Sequence, residues 1–365
     1  MRLTCSQKDL ARALSITTKT VDVNSTLPVL NNVFLKAEGK KLHFTATNLE
    51  VAITYFIEAN IENEGEITIP AKLFSSYVNY LNDNQVNIVV EGTDVQIQTK
   101  DSKTRIKGIS SSEFPPIPSV EKGGTMTIKA LDLKKAISQV VFAAALNTTR
   151  PILGGVYFVV EKNELKMVST DSYRLSEKKI AVTEVTGEIS CIVPAKTILE
   201  LGSILDAADG EIKVKVLVSN NQVMFSMAMV QMISRLIEGQ FPNYEQIIPQ
   251  SSKTQIEFEV SELSLVLKRI NIFAKENNNK VLLKVVDGII TITTESTQYG
   301  EGEITLKAEI KGENNDIALN SQFLLEALSN LGSSKVIMEI GEKTAPVILK
   351  PKETGYLHII MPLKI

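Results

Sequence analysis

Few residues of this 365-residue chain have the types and spacing that an active site requires. His43 and His358 are the only histidines, and neither has a nucleophile or a group of metal ligands beside it in the sequence, which leaves little material for a catalytic triad or a zinc site. Asp171, Tyr173 and Arg174 could imitate a catalytic trio, so an enzyme stays open as a rival class. The sequence contains no Gly-x-x-x-x-Gly-Lys phosphate loop. We predict no catalytic residue, no metal site and no cofactor.

The two cysteines and the first residues predict a cytoplasmic protein. Cys5 and Cys191 lie far apart and form no Cys-x-x-Cys pair, so we expect both thiols to be free in a reducing compartment. The first nine residues lack the apolar centre of a signal peptide, and no window reaches eighteen uninterrupted apolar residues.

Composition and charge restrict the class of protein. The chain is 44% hydrophobic and 22% charged, as in folded globular proteins, and its length predicts two or three domains. A net charge of −3 argues mildly against a protein that coats nucleic acid with its whole surface, although it allows local basic patches.

Three features recur together along the sequence, and their period is that of a domain. An amphipathic helical pattern occurs at 6–16, 131–141 and 261–270; a strand that runs into a helix occurs at 67–81, 191–201 and 317–328; a strand that ends on a polar turn occurs at 44–50, 167–174 and 292–296. The second feature turns at Pro70, Pro194 and Asn320, which are 194 − 70 = 124 and 320 − 194 = 126 residues apart. Proline suits a first helical turn and asparagine suits a helix cap. The period predicts three similar domains and excludes a short solenoid repeat.

The elements of each repeat predict an α+β fold. Alternating segments between the helices indicate half-buried antiparallel strands, so each domain would have about two helices in one layer and antiparallel sheets outside them. Proline-rich stretches at 114–118 and 241–249 predict domains at 1–122, 123–250 and 251–365. Head-to-tail docking of two such chains would close a ring of six units.

Four short segments carry a resemblance to a known family over the whole chain. They are Thr-Leu-Pro-Val-Leu-Asn at 26–31, Thr-Asp-Ser-Tyr-Arg-Leu at 170–175, Glu-Gly-Gln-Phe-Pro-Asn-Tyr at 238–244 and Ile-Ile-Met-Pro-Leu-Lys-Ile at 359–365. In this order and spacing, the sequence resembles the bacterial DNA sliding clamp, the beta subunit of the replicative DNA polymerase III holoenzyme. The resemblance implies a non-enzymatic head-to-tail homodimer, with helices around a central hole, that encircles and slides on double-stranded DNA without reading its sequence. An external ATPase would have to load it.

The resemblance also implies a pocket between the second and third domains for short linear motifs. Its partners would be the polymerase III alpha subunit, the clamp-loader delta subunit, other polymerases and mismatch-repair proteins. The matching apolar positions are Leu153, Leu175, Pro242, Ile247, Phe323, Pro346, Ile360, Met361, Pro362 and Leu363, and the polar ones are Thr170, Ser172, Tyr173, Arg174, Gln246 and Asn320. A flexible methionine suits a pocket that serves many ligands. Alternatively, the terminal strand simply packs and Arg174 is a surface ion-pair residue.

Two departures from the family pattern affect the preferred peptide. Ser172 and Tyr173 stand in place of the familiar glycine-histidine step, and Gln246, beside Glu245, replaces a basic rim residue. The lost positive charge should change which flanking residues partners prefer.

The resemblance assigns further residues to DNA and to the ring seam. The positions where family members touch DNA are Asn24, Lys72, Asn147, Pro151 and Ile152, and Arg150 and Lys196 would add nearby charge. Each cation could equally lie on an ordinary solvated face. Ile272 and Phe273 would meet the first domain of a second copy near Phe74, Tyr77 and Ile106, or else they end a helix in their own core. A β-rich scaffold that binds proteins but never encircles DNA is the second rival reading.

Overall fold

The protein is described by a computed structural model that covers residues 1–21, 25, 27–145, 149–206, 212–296, 298, 300–352 and 355–364. Its contacts group the chain into two compact units. The first unit contains Met1–Ala130, Thr183–Glu188 and Ser203–Leu236, and the second contains Leu131–Val182, Ile189–Gly202 and Ile237–Ile365. This division into two units does not test the predicted domain boundaries near 122 and 250, which stay a prediction.

The helices recur in pairs at the predicted period. They are α1 (Gln7–Thr17), α2 (Ala71–Asn79), α3 (Ala130–Val140), α4 (Ala195–Leu205), α5 (Val260–Ala274) and α6 (Ser321–Asn330). Helix α6 begins directly after Asn320, which caps it as predicted: its side chain accepts hydrogen bonds from the amides of Gln322 and Phe323. Pro70 holds the corresponding position before α2 and makes no side-chain cap.

The strands fall into three series. The first series is β1 (Arg2–Ser6), β2 (Asn32–Glu38), β3 (Lys41–Thr47), β4 (Val51–Glu58), β5 (Asn60–Asn63), β6 (Gly65–Pro70), β7 (Gln85–Glu91), β8 (Asp94–Gln98) and β9 (Lys103–Lys107). The second is β10 (Gly124–Lys129), β11 (Gly155–Glu161), β12 (Glu164–Thr170), β13 (Arg174–Ala181), β14 (Thr183–Thr186), β15 (Ser190–Pro194), β16 (Lys213–Val218), β17 (Gln222–Met227) and β18 (Val230–Arg235). The third is β19 (Thr254–Glu259), β20 (Lys280–Val286), β21 (Ile289–Thr293), β22 (Glu303–Lys307), β23 (Glu309–Gly312), β24 (Asn315–Asn320), β25 (Lys335–Ile340), β26 (Val347–Lys350) and β27 (Tyr356–Ile360).

Antiparallel pairing joins strands of different repeats within each unit. In the first unit, one sheet has the order β5-β1-β7-β8-β9 and the other the order β14-β10-β16-β17-β18-β4-β3-β2-β6. In the second unit, the orders are β15-β11-β12-β13-β27-β26-β25-β19-β23 and β22-β21-β20-β24. The pairings of β4 with β18 and of β13 with β27 connect consecutive repeats. The prediction of an α+β fold with antiparallel sheets is confirmed.

Helical and strand periodicity account for the core of the C-terminal repeat. Leu263, Leu267 and Ile270 are spaced three and four residues apart on α5 and are buried. They belong to one cluster with inward-facing strand residues such as Val281 and Leu283, which alternate with more exposed neighbours along β20. The helix and the sheet therefore bury one shared apolar layer.

Both cysteine thiols are free and buried. Burial raises the pKa of Cys5 to about 12, with a smaller contribution from Asp9, and burial alone raises the pKa of Cys191 to about 12. Since the thiolate is the reactive form, native protein at pH 8 should resist iodoacetamide, and both thiols should react in urea. Mass spectrometry of the two samples tests this, and rapid alkylation of either thiol in the native sample would contradict it.

Within the ranges that the structure describes, no helix has the length and apolar character needed to span a membrane. The same ranges hold no group of three or more His, Cys, Asp or Glu side chains placed to bind a metal ion.

Candidate peptide-binding site

A tight polar turn between β12 and β13 forms the centre of the candidate site. The Thr170 hydroxyl donates to the Arg174 carbonyl (2.6 Å) and accepts from the Ser172 amide (3.1 Å). The Asp171 carboxylate accepts from the amides of Tyr173 and Arg174, both at 2.9 Å. Ser172 has a φ of 78°, which lies in the left-handed region that favours glycine. These bonds hold the Tyr173 side chain, 65% exposed, at the tip of the turn.

The Arg174 side chain is largely used within the protein. Its guanidinium donates to Asp171 Oδ2 (3.0 Å) and to the Phe142 carbonyl (2.9 Å), and it forms an ion pair with Glu326. It also lies 4.5 Å from the centre of the Phe323 ring, a cation–π distance. The guanidinium is thus a fixed wall of the site, and it forms ion pairs as the alternative reading expected, although the Arg174 side chain is only 10% exposed.

The C-terminal segment lies directly beside this turn. Ile360 ends β27 fully buried, and the next amide, that of Met361, donates to the Tyr173 carbonyl (2.8 Å). Two residues later, the Leu363 amide donates to the Ala318 carbonyl (2.8 Å). The segment therefore runs from β13 to β24, and Met361, Pro362 and Leu363 each keep part of their surface exposed.

Asn320 and Phe323 enter the site from the start of α6. The Asn320 side-chain oxygen is occupied by the two amides of the helix cap, and its amide group donates to the Asn278 carbonyl (3.3 Å). Asn320 therefore shapes the site mainly as a helix cap. Phe323 is half-buried under the Arg174 guanidinium.

An apolar cluster fixes the segment that contains Pro242, Gln246 and Ile247. Leu175, Ile359, Phe241 and Tyr244 are packed together in this cluster. The rim positions next to Phe241 and Tyr244 remain accessible, and Ile247 is 42% exposed. The site thus has exposed side chains on a buried floor, as a shallow peptide anchor requires.

Two ionic contacts set the charge of the rim. Lys166 lies 2.9 Å from Glu161 and 3.3 Å from Glu245, and its pKa is raised, first by the hydrogen bond to Glu161. The Tyr244 hydroxyl donates to the buried Glu177 carboxylate (2.6 Å), and burial, together with this bond, raises the pKa of Tyr244. The tyrosine stays protonated, and Gln246 adds no charge.

A cavity of about 950 Å³ adjoins the turn. Tyr173 and Arg174 line it together with Phe142, Leu199 and Glu326. Phe142, Leu199 and Glu326 were not predicted from the sequence. Leu199 could have been found as an apolar residue that the pattern of α4 leaves on the exposed face, where it is 45% exposed, but no sequence signal points to Phe142 or Glu326.

The other predicted pocket residues lie deeper or elsewhere. Leu153 is 5% exposed, and its carbonyl accepts from the Ala145 amide (2.9 Å), so it supports the site from below. Pro346 lines a separate cavity of about 350 Å³ with Ile248 and Leu357. The residue after it, Val347, pairs with Ile360, which in turn pairs with Arg174.

His358 is buried under the site and does not titrate near neutral pH. Its Nδ1 lies 2.6 Å from the Ser176 hydroxyl, and its ring stacks on Phe142 at 5.3 Å. Burial, and to a smaller extent the nearby Arg174 charge, lowers the pKa of His358 to about 3. A proton shuttle at this position is not supported, because the neutral ring is strongly favoured.

This low pKa predicts a loss of stability in mild acid. Above pH 6.5 the ring is neutral in both the folded and the unfolded chain, whereas between 6.5 and about 3 only the unfolded chain binds the proton. Stability should therefore fall as the pH falls through this window, by up to about 1.4 kcal/mol per pH unit from this group. Urea unfolding at pH 4 to 7 should show a smaller pH dependence for His358→Gln than for the parent. Equal pH dependence in the two proteins would contradict the assignment.

The predicted DNA-facing residues differ in their placement. Lys72 on α2 and Lys196 on α4 are exposed, as are Arg150 and Pro151. Ile152 is partly buried against the Phe241 cluster, so little of it can face DNA. Asn24 and Asn147 lie outside the described residues.

The predicted seam residues also divide into two groups. Ile272 is 69% exposed at the end of α5, so the alternative that it fills its own core is wrong. Phe273 is half-buried, and its ring lies close to Gly302. Phe74 and Ile106 are 0% and 5% exposed, which leaves them almost no surface for a second chain, whereas Tyr77 is half-buried with its hydroxyl 3.3 Å from that of Ser102.

Comparison with known proteins identifies the family. The chain matches the N-terminal, central and C-terminal domains of the DNA polymerase III beta subunit at residues 1–118, 127–243 and 245–364. The chain belongs to this family. The beta sliding clamp of Synechocystis sp. is 28% identical, with all of both chains covered. The crystal structure of the Bacillus subtilis sliding clamp is 28% identical with a TM-score of 0.94, and it covers all of this chain and 99% of the other.

Membership of the family confirms the predictions of a sliding-clamp fold and of a non-catalytic role in DNA replication. Beta sliding clamps are non-catalytic processivity subunits of DNA polymerase III, and the chain is one of them. The enzyme reading is therefore wrong. A further solved structure, the sliding clamp of Bartonella birtlesii bound to griselimycin, is 25% identical with a TM-score of 0.94 over all of both chains.

Proposed function

We propose that two copies of this chain close head-to-tail around duplex DNA and that partner proteins are tethered to the ring by short peptides that dock at the Tyr173 turn. The observation that carries the docking proposal is the meeting of three elements. The turn at 170–174, the end of the chain at 360–363 and the start of α6 are joined by the Met361–Tyr173 and Leu363–Ala318 hydrogen bonds and by the stacking of Arg174 on Phe323. A griselimycin-bound clamp among the structural relatives shows that a member of the family binds a ligand.

The exposed side chains of this site favour an apolar peptide anchor. Tyr173 and Ile247 offer large apolar surfaces, and Met361 adds a flexible thioether that can adapt to different side chains. The guanidinium of Arg174 is already engaged with two carboxylates, so a peptide carboxylate gains little there. We therefore propose partners with bulky apolar anchors and without the acidic flank that a basic residue at 246 would attract.

The surface charges of the helices support sequence-independent contact with DNA. Exposed cations lie on five helices: Lys8 and Arg12 on α1, Lys72 on α2, Lys134 and Lys135 on α3, Lys196 on α4, and Lys268 and Arg269 on α5. Long cationic side chains that attract phosphates without reading base edges permit sliding. A net charge of −3 leaves the protein without the overall basic excess that would favour indiscriminate binding to DNA.

Topological retention on DNA tests this function. The protein is loaded onto nicked circular plasmid with a clamp loader and ATP, and the mixture is gel-filtered in high salt before and after the DNA is linearised. A ring stays on the circle and slides off the linear DNA. Loss from both forms would overturn the encircling proposal and leave a protein-binding scaffold. Binding of a polymerase-derived peptide to the unloaded protein tests the docking site independently.

A further inference from the structure

The polar turn at the centre of the peptide site has a second copy in the first unit. At the end of β3, the Thr47 hydroxyl donates to the Val51 carbonyl (2.9 Å) and accepts from the Leu49 amide (3.0 Å). The Asn48 side-chain oxygen accepts from the amides of Glu50 (3.0 Å) and Val51 (2.8 Å). Leu49 has a φ of 74°. Each bond and the left-handed residue match the turn at 170–174, position for position.

The strand that passes beside this turn is also repeated. Strand β4 pairs with β18 as β13 pairs with β27. The Arg235 amide donates to the Glu50 carbonyl (3.0 Å), just as the Met361 amide donates to the Tyr173 carbonyl. Arg235 and Glu50 therefore hold the places that Met361 and Tyr173 hold in the peptide site.

A stacked aromatic pair fixes the third wall in both copies. Phe34 and Phe114 stack with ring centres 5.2 Å apart and 22° between planes, and Tyr157 and Phe241 stack at 4.9 Å and 6°. The stack positions the chain that follows it, which is Pro115–Pro118 in the first copy. The scaffold of the peptide site is thus present twice, once in each unit.

The side chains on the second scaffold form a different cleft. Its cavity of about 170 Å³ is lined by Leu49, Ile233 and Pro115–Pro118, and Leu49 is 48% exposed. This volume suits a single aliphatic side chain. Prolines lack an amide hydrogen, so their wall is apolar and offers few backbone donors.

Two opposite charges lie at the rim of this cleft. The Glu50 and Arg235 side chains line the cavity and are exposed, and neither has an ion pair or a side-chain hydrogen bond with any residue in the described ranges. In the peptide site, by contrast, the turn carries an engaged arginine and an exposed tyrosine. Charges that are adjacent, accessible and unused within the chain can pair with complementary groups on a partner.

We propose that this cleft, formed by Leu49, Glu50, Ile233, Arg235 and Pro115–Pro118, is a second docking site for linear peptides. Its peptides would place one aliphatic side chain in the cavity, an acidic residue against Arg235 and a basic residue near Glu50. They would differ from peptides of the Tyr173 site because Arg235 is available to an acidic residue, whereas Arg174 is already paired with two carboxylates, and because the smaller cavity holds only one anchor. One ring could then hold two classes of partner at once.

A display selection tests the proposal. Random heptapeptides on phage are selected on the full chain carrying Tyr173→Ala, after depletion on the same protein that also carries Arg235→Glu. We expect enrichment of peptides that combine an aliphatic residue with an acidic one. A synthetic, fluorescein-labelled peptide of the enriched sequence should bind at least tenfold more weakly to Arg235→Glu. It should bind unchanged to Lys215→Glu, a matched charge reversal on β16.

A charge-swapped peptide separates loss of pairing from damage to the fold. When lysine replaces the acidic residue of the peptide, binding to Arg235→Glu should recover and binding to the parent should weaken. Failure to enrich any peptide family, or equal binding by the parent and Arg235→Glu, would overturn the proposal. If, in the absence of peptide, the Arg235→Glu protein had a different sedimentation coefficient from the parent, the cleft would be a contact with a second copy of the chain. That result would overturn the proposal as well.

Discussion

Replacing Arg174 by methionine is expected to lower the free energy of local opening around the Tyr173 turn by about 3 kcal/mol. Methionine keeps much of the apolar contact with the Phe142 and Phe323 rings, but it leaves Asp171 and Glu326 without their cation. The Arg174 side chain is only 10% exposed and that of Asp171 17%, so water can replace the lost contacts only in part. The expected change lies at the lower end of the range for breaking a buried ion pair, because the Glu326 side chain is 34% exposed.

Hydrogen exchange at the amides of Tyr173 and Met361 measures this opening, since both amides are bonded within the site. Arg269→Met, an exposed arginine on α5, is the matched control and should change stability by less than about 0.5 kcal/mol. Anchor peptides should lose affinity for Arg174→Met because the wall that it forms is no longer fixed. Exchange rates near Tyr173 that match those of the parent would contradict the role given to Arg174.

Local patterns in the sequence predicted much of the fold. The recurrence of Pro70, Pro194 and Asn320 located three of the helices, because the residue types allowed before a first helical turn are few. The Thr170–Arg174 segment was identified as a polar turn after a strand for a similar reason, since Thr and Asp side chains bond to nearby amides. Such signals depend on neighbours in the chain and can be read from it directly.

The parts that escaped prediction depend on distant contacts. The sequence offered Arg174 as a peptide contact or a surface ion pair, and only the fold shows that Phe142 and Glu326 occupy its guanidinium. Phe74 was placed at the seam, but it is completely buried, because an apolar residue on a helix looks the same whether it faces a core or a partner. The similarity between the cleft at Glu50 and the site at the Tyr173 turn could not be predicted from the sequence. The hydrogen bonds of the two turns are the same, whereas most of their side chains differ.

The exposed end of α5 leads to the second large expected effect. Substituting Ile272 by aspartate should leave the stability of the isolated chain nearly unchanged, because the side chain is 69% exposed. If Ile272 is a buried anchor in the proposed head-to-tail ring, the same change costs at least about 2 kcal/mol at each seam. A closed dimer contains two identical seams, so the total of about 4 kcal/mol should raise the dimer dissociation constant roughly a thousandfold.

Sedimentation equilibrium over a range of concentrations measures this constant, and the plasmid-retention assay measures its consequence. Leu131→Asp is the matched control, since Leu131 is 67% exposed at the start of α3, away from the proposed seam. The control should dimerise and stay on circular DNA, whereas Ile272→Asp should sediment as a monomer and be lost from the circle in high salt. Peptide binding at the Tyr173 turn should be the same in both, because that site lies within one chain. An unchanged dissociation constant for Ile272→Asp would remove Ile272 from the seam, and loss of peptide binding along with dimerisation would mean that the substitution had damaged the fold.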